Sequence, residues 1–242
     1  MESNFYDVFP RKKILLGMLH LEGEGKEEKI GRVAEEIAIY KEEGMDGAIV
    51  EDLHGSAQDV LSALEYISHI DHGLIIGVNV LSDPYLAFGL ADKYGAKFVQ
   101  FDTIQASPGG SNNNHKFNEK LFISLKNKYP HISVLGGVRF KYVPETGKSL
   151  EDDIYDGMCK ADAIVTTGPG TGIETPIQKL RDFRAIMRNF PLIDGAGVND
   201  KNIREQMKVC NGAVIGSYFK DGDTHAKVQR EKVRKLVDLV NG

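Results

Sequence analysis

The chain has 242 residues, 41% hydrophobic and 27% charged, which is long enough to bury a core without disulfide or metal staples. Its 30 Lys+Arg against 35 Asp+Glu leave a net charge of −5, which argues against the broad basic face of a dedicated nucleic-acid binder. Leu, Ile, Val and Phe recur in regular blocks, which excludes disorder, while 26 glycines, about 11% against an average of roughly 7%, make the placement of glycine the question.

Residues 1–12 carry early acids and no apolar h-region, so they read as an N-terminal extension and not as a secretory signal. Eight short apolar runs then begin at residues 14, 47, 74, 98, 132, 163, 191 and 212. Each is near-continuous, as in strands buried on both faces of a parallel sheet. The gaps carry helical periodicity. In 28–43, Ile30, Val33, Ala34, Ile37 and Ala38 share one face, and Gly44 stops the helix. Val60, Leu61, Leu64 and Ile67 repeat the pattern in a second helix that Ser56 can cap. Further helices are predicted at 84–94, 118–129, 150–160, 176–189, 200–209 and 225–240, with Thr175-Pro176 as a helix start.

Cys159 and Cys210 both fall in helical segments and read as buried free thiols. The longest apolar windows span about eight residues, far below the roughly 20 that cross a bilayer. A cytoplasmic protein is expected. Eight βα units over 1–242 with no linker predict one α/β domain, a parallel (β/α)8 TIM barrel. An open doubly wound sheet would carry G-x-G-x-x-G after the first strand, where Gly17-Met-Leu-His20 stands.

Such a barrel places chemistry at the C-terminal ends of its strands. Those ends nominate His20, Glu51, Asp102 and Lys141 as catalytic, and Asn79, Arg139, Thr166, Thr167 and Asp194 as substrate-binding. Glu51, Asp102 and Asp194 with His20 read as a carboxylate set for acid/base work or for Mg²⁺. Lys141 is an electrostatic clamp, a general base, a Schiff-base former or simply a solvated lysine. No zinc-type spacing occurs, and metal ligands stay unassigned. Gly195 and Gly197 after strand seven, with Gly216 and Ser217 after strand eight, are phosphate-binding candidates, because glycine lets backbone N–H groups approach an anion. Tight turn geometry would also explain these glycines, and Lys220 is either an anion partner or a solvated surface residue. The glycine-rich 167–172 lacks the Gly-Lys-Ser/Thr of a P-loop and fits a mouth loop. The polar stretch 105–114 is either a lid or an insertion.

Gly44-Met-Asp-Gly-Ala-Ile-Val-Glu51 and Gly77-Val-Asn-Val-Leu81, with Gly17-Met-Leu-His20, Ala161-Asp-Ala-Ile-Val-Thr-Thr167, Gly195-Ala-Gly-Val198 and Gly212-Ala-Val-Ile-Gly-Ser217, resemble the BtpA/SgcQ family of the phosphate-binding barrels. The resemblance implies a barrel that binds a phosphorylated small molecule. One member of that family is associated with photosystem I biogenesis and others with sugar-utilisation gene clusters. Three places depart from the family pattern. The first is the non-proline segment Glu22-Gly-Glu-Gly-Lys26. The second is strand five, where Lys141 matches but Gly137, Arg139 and Tyr142 do not. The third is Asp52 and Asp102 in place of asparagine.

Two functions follow from the residues and the resemblance. One is an isomerase, epimerase or lyase acting on a phosphorylated sugar or nucleoside-like metabolite. The other is a non-catalytic assembly factor that retains the ligand site. A homo-oligomer is compatible with both. Nucleic-acid binding rests only on the basic stretch 227–235, whose Val228, Val233, Leu236 and Val237 mark it as an outer helix.

Overall fold

A computed structural model describes residues 3–11, 13–106 and 117–242. Eight parallel strands follow one another around a closed barrel: β1 (Ile14–Leu19), β2 (Gly47–Glu51), β3 (Ile75–Asn79), β4 (Phe98–Phe101), β5 (Ser133–Gly137), β6 (Ala163–Thr166), β7 (Leu192–Asp194) and β8 (Gly212–Ile215). Leu16 of β1 pairs with Gly47 of β2 on one side and with Val214 of β8 on the other, which closes the sheet and leaves no open edge. All eight predicted apolar runs form these strands, with ends displaced by a few residues at most.

The helices are α1 (Phe5–Val8), α2 (Gly25–Glu42), α3 (Ala57–Ser68), α4 (Leu86–Tyr94), α5 (Glu119–Lys128), α6 (Leu150–Lys160), α7 (Ile177–Met187), α8 (Ile203–Val209) and α9 (Arg230–Asn241). Ser56 caps α3 in a reciprocal box with Asp59, as its sequence suggests. The helix expected from residue 225 starts only at Arg230. Arg32 of α2 holds the carbonyls of His225 and Ala226 in a separate turn, at 2.6 and 3.1 Å. Most of the 105–114 stretch lies outside the described residues, although Gln105 is buried and its amide donates to the Asp153 carbonyl at 3.0 Å.

Alternation along the strands makes two apolar layers. Ile14, Leu16, Met18, Ile49, Phe98, Leu135, Val165, Ile193 and Val214 fill the inside of the barrel. The opposite strand faces, with Leu15, Leu19, Val50, Val78 and Val99, pack under helix residues such as Val33, Ile37, Val60 and Phe122. The N-terminal extension has a structural role. Phe5 and Phe9 are fully buried, Phe9 lies 5.2 Å ring to ring from Phe98, and Ser3 donates to the Asp162 carbonyl just before β6. This plug fills the end of the barrel where the strands begin. Burial of each ring contributes about 1.5–3 kcal/mol.

Cys210 is buried as expected, but Cys159 is exposed. The buried stripe of α6 runs through Asp153, Ile154, Gly157 and Lys160, and Cys159 falls outside it. Among the described residues, no helix is long and apolar enough to cross a membrane.

Candidate functional site

The inner rows of β1, β2, β4, β7 and β8, continued to the strand ends, build one cavity at the opposite end of the barrel. On β1 the inward residues Leu16 and Met18 are followed by His20; on β2, Ile49 is followed by Glu51; on β4, Phe98 is followed by Gln100 and Asp102. His20, Glu51, Gln100, Asp102 and Lys141 line this cavity. Gly172, Gly195, Gly197, Gly216 and Ser217 line it too. The four residues nominated as catalytic and the four nominated for phosphate therefore share one space.

Asn79 lies between the acids. Its amide nitrogen donates to Glu51 Oε2 at 2.7 Å and to Asp102 Oδ1 at 3.2 Å, and Gln100 reaches the same Asp102 oxygen at 3.4 Å. Burial raises Glu51 to about 8, and the charge of Asp102 adds to the shift, against the pull of Lys141 and Asn79. Asp102 is also raised by burial, with Lys141 and the two amides acting the other way. Burial thus keeps Glu51 protonated near neutrality, beside a second acid whose pKa burial also raises. The Asn79 amide thereby occupies one oxygen of each acid.

His20 is buried and its pKa lies well below the ordinary 6.5, first because of burial and then because of Lys220, so the imidazole is neutral. Lys220 is fully buried, 3.0 Å from Glu36 Oε1 of α2 and 3.4 Å from His20 Nδ1. It is neither a surface lysine nor a lining residue of the cavity. Gly216 makes room for the histidine, since a Cβ there would stand 2.8 Å from His20 Cε1. Gly197 (φ +67°) is required by the loops themselves, because a Cβ would meet the backbone of Ile173 and Glu174 at 2.3 Å. Tight loop packing thus accounts for that glycine whether or not an anion binds.

Four nominated residues lie elsewhere. Thr166 and Asp194 are one residue out of step with the inner rows and face the helix layer, where both are fully buried. Asp194 Oδ1 accepts a hydrogen bond from Thr175 at 2.6 Å, and burial raises its pKa to about 7. It does not join Glu51 and Asp102. Arg139 (φ +50°) turns away to pair with Asp153 and donates to the Lys148 carbonyl. Thr167 Oγ1 accepts from the Lys141 N–H at 2.6 Å and so fixes the β5–α6 loop. Arg139 and Thr167 border a second, more open pocket with Lys179, whose pKa burial and Arg139 lower to about 8. Asp52 binds the backbone of Leu81 and Ser82, so it shapes the β3–α4 loop. Gln100, Tyr142, Thr171 and Gly172 line the main cavity without having been nominated. Gln100 had a signal, as the one polar residue inside the run Phe98-Val-Gln-Phe101, two positions before Asp102.

The closed eight-stranded parallel barrel with polar strand ends around one mouth defines the class, a (β/α)8 barrel. The chain belongs to the BtpA family, whose model matches residues 11–242. An uncharacterized protein of Pyrococcus horikoshii is 27% identical over 94% of this chain and 96% of its own length. The photosystem I biogenesis protein BtpA of Synechocystis is 22% identical over 87% of this chain and 79% of its own. In fold, the chain resembles N-(5'-phosphoribosyl)anthranilate isomerase from Pyrococcus furiosus, with a TM-score of 0.59, 16% identity, and coverage of 95% of this chain and 98% of that one.

Proposed function

We propose that the protein is an enzyme that anchors a phosphorylated small metabolite on the Gly195–Gly197 and Gly216–Ser217 loops and moves protons with Glu51 and Asp102. One observation carries this reading: a single cavity is lined both by glycine loops and by a buried acid pair whose pKa values burial raises. The resemblance in fold to an isomerase of a phosphoribosyl compound supports it.

The reaction is isomerisation next to a carbonyl. Ionised Asp102 takes the proton from the adjacent carbon while Glu51 gives its proton to the carbonyl oxygen, forming an enediol. Glu51, now ionised, then takes the proton of the neighbouring hydroxyl, and Asp102 returns its own to the former carbonyl carbon. Both residues end as they began. Lys141 stabilises the negative charge that passes between them.

Calorimetric titration with inorganic phosphate and with a panel of sugar phosphates tests the anchor. Saturable binding is expected. Ser217→Asp should weaken it by roughly a hundredfold or more, since like charges at 4 Å repel by about 4 kcal/mol in such surroundings. Unchanged affinity in Ser217→Asp would remove the proposed cup. An assembly role is the second reading, and the name of the Synechocystis relative favours it. It requires a ligand-binding barrel without turnover, whatever the panel.

A further inference from the structure

We propose that Glu22, His54 and His225 form a binding site for a divalent transition-metal ion of the Zn²⁺ type at the rim of the barrel mouth. Glu22 follows β1, His54 follows β2 and His225 lies in the turn after β8, so adjacent loops of the closed barrel bring them together. Glu22 Oε2 stands 2.7 Å from His225 Nδ1 and 3.8 Å from His54 Nδ1, and one ligand atom from each residue lies within 4.8 Å of the other two. Among the described residues, no other group of three His, Cys, Asp or Glu side chains converges this way.

The surroundings prepare these atoms for a cation. His54 Nε2 is 2.9 Å from Thr224 Oγ1. In the tautomer that donates this proton to Thr224, Nδ1 is a bare lone pair facing a carboxylate, an arrangement that a cation between them would satisfy. A hydrogen-bond acceptor on the remote nitrogen is the usual partner of a metal-bound histidine. The turn that carries His225 is held by Arg32 and by a hydrogen bond from the His225 N–H to Asp223 at 2.9 Å. Glu22 and His54 are half-buried and His225 is exposed, so water or a ligand can complete the coordination. The two imidazoles are stacked at 3.8 Å, and the exposed His225 ring must tilt for both nitrogens to reach one ion. Two imidazoles and one carboxylate favour Zn²⁺, Co²⁺ or Ni²⁺ over Mg²⁺ or Ca²⁺. The site stands beside the cavity, with the His54 ring 6.1 Å from that of His20, and it does not depend on the proposed reaction.

Protein stripped with a chelator and titrated with Zn²⁺ by calorimetry, and with Co²⁺ by visible absorption, tests the site. One ion per chain is expected, together with a rise in Tm. Thr224→Val should weaken binding roughly 10- to 100-fold, and His225→Ala or Glu22→Gln by more than that. His225 and Thr224 lie at the surface or close to it, so their variants should match the metal-free wild type in Tm. Absence of saturable Zn²⁺ binding would overturn the proposal. Binding that survives His225→Ala and Glu22→Gln but is lost in Asp102→Asn would overturn it too, since the ion would then sit on the cavity acids.

Discussion

Replacing Glu51 with glutamine is expected to lower turnover of the true substrate by about 10²- to 10⁴-fold while making the protein more stable in alkali. The first effect follows from loss of the proton that Glu51 would deliver. The second follows from linkage. Glu51 titrates near 8 in the folded protein against an ordinary 4.5, so the folded state keeps a proton that the unfolded chain releases. Stability therefore falls as pH rises between those values, by up to about 1.4 kcal/mol per unit, and levels off above. Coupling to Asp102 spreads this slope over the pair. A glutamine amide at this position has no proton to lose, so the variant should tie with or trail the wild type near pH 5 and exceed its Tm by several degrees at pH 9. Thermal melts across that range check this. Parallel pH profiles of Tm for the two proteins would show that Glu51 is not held protonated.

The largest loss of stability is expected at a position that the sequence made look like surface. Lys220→Met leaves Glu36 buried and unpaired, which costs about 3–5 kcal/mol. For a chain of this size that corresponds to a fall in Tm of roughly 6–20 °C. Burial already holds the Glu36 pKa above the ordinary 4.5 despite Lys220. The deficit should therefore grow from pH 5 to pH 8, as the unfolded chain ionises Glu36 and the folded variant resists doing so. Changing both partners, as Glu36→Leu with Lys220→Met, should restore most of the loss, because it removes the stranded charge. A Lys220→Met variant that melts with the wild type would mean that the pair contributes nothing.

The barrel was legible because buried parallel strands write themselves as continuous apolar runs, and all eight runs became strands. The cavity was legible in part. Counting to the last polar residue of each run found His20, Glu51 and Asp102, but that count ignores which way a side chain faces. Thr166 and Asp194 end their runs one residue out of phase with inward Val165 and Ile193, so they face the helices. Strand alternation, applied to the sequence, separates these cases and also picks out Gln100. Lys220 was not legible, since its partner Glu36 sits on α2 at the opposite end of the chain and looks there like any acid of an amphipathic helix. The same holds for Glu22, His54 and His225, which have no motif spacing and meet only because barrel closure sets the loops of β1, β2 and β8 side by side. The glycines were found, although at Gly197 loop packing is a sufficient reason for the residue.

One cavity that joins an anion cup to a proton-sharing acid pair is the core of the proposed function. A crystal structure of the protein grown with inorganic phosphate tests it most directly. The expected result is an anion held by backbone N–H groups at Gly197 and at residues 216–217, in the cavity that Glu51 and Asp102 also line. Phosphate bound instead beside Arg139 and Lys179 in the second pocket, with the glycine loops empty, would contradict it.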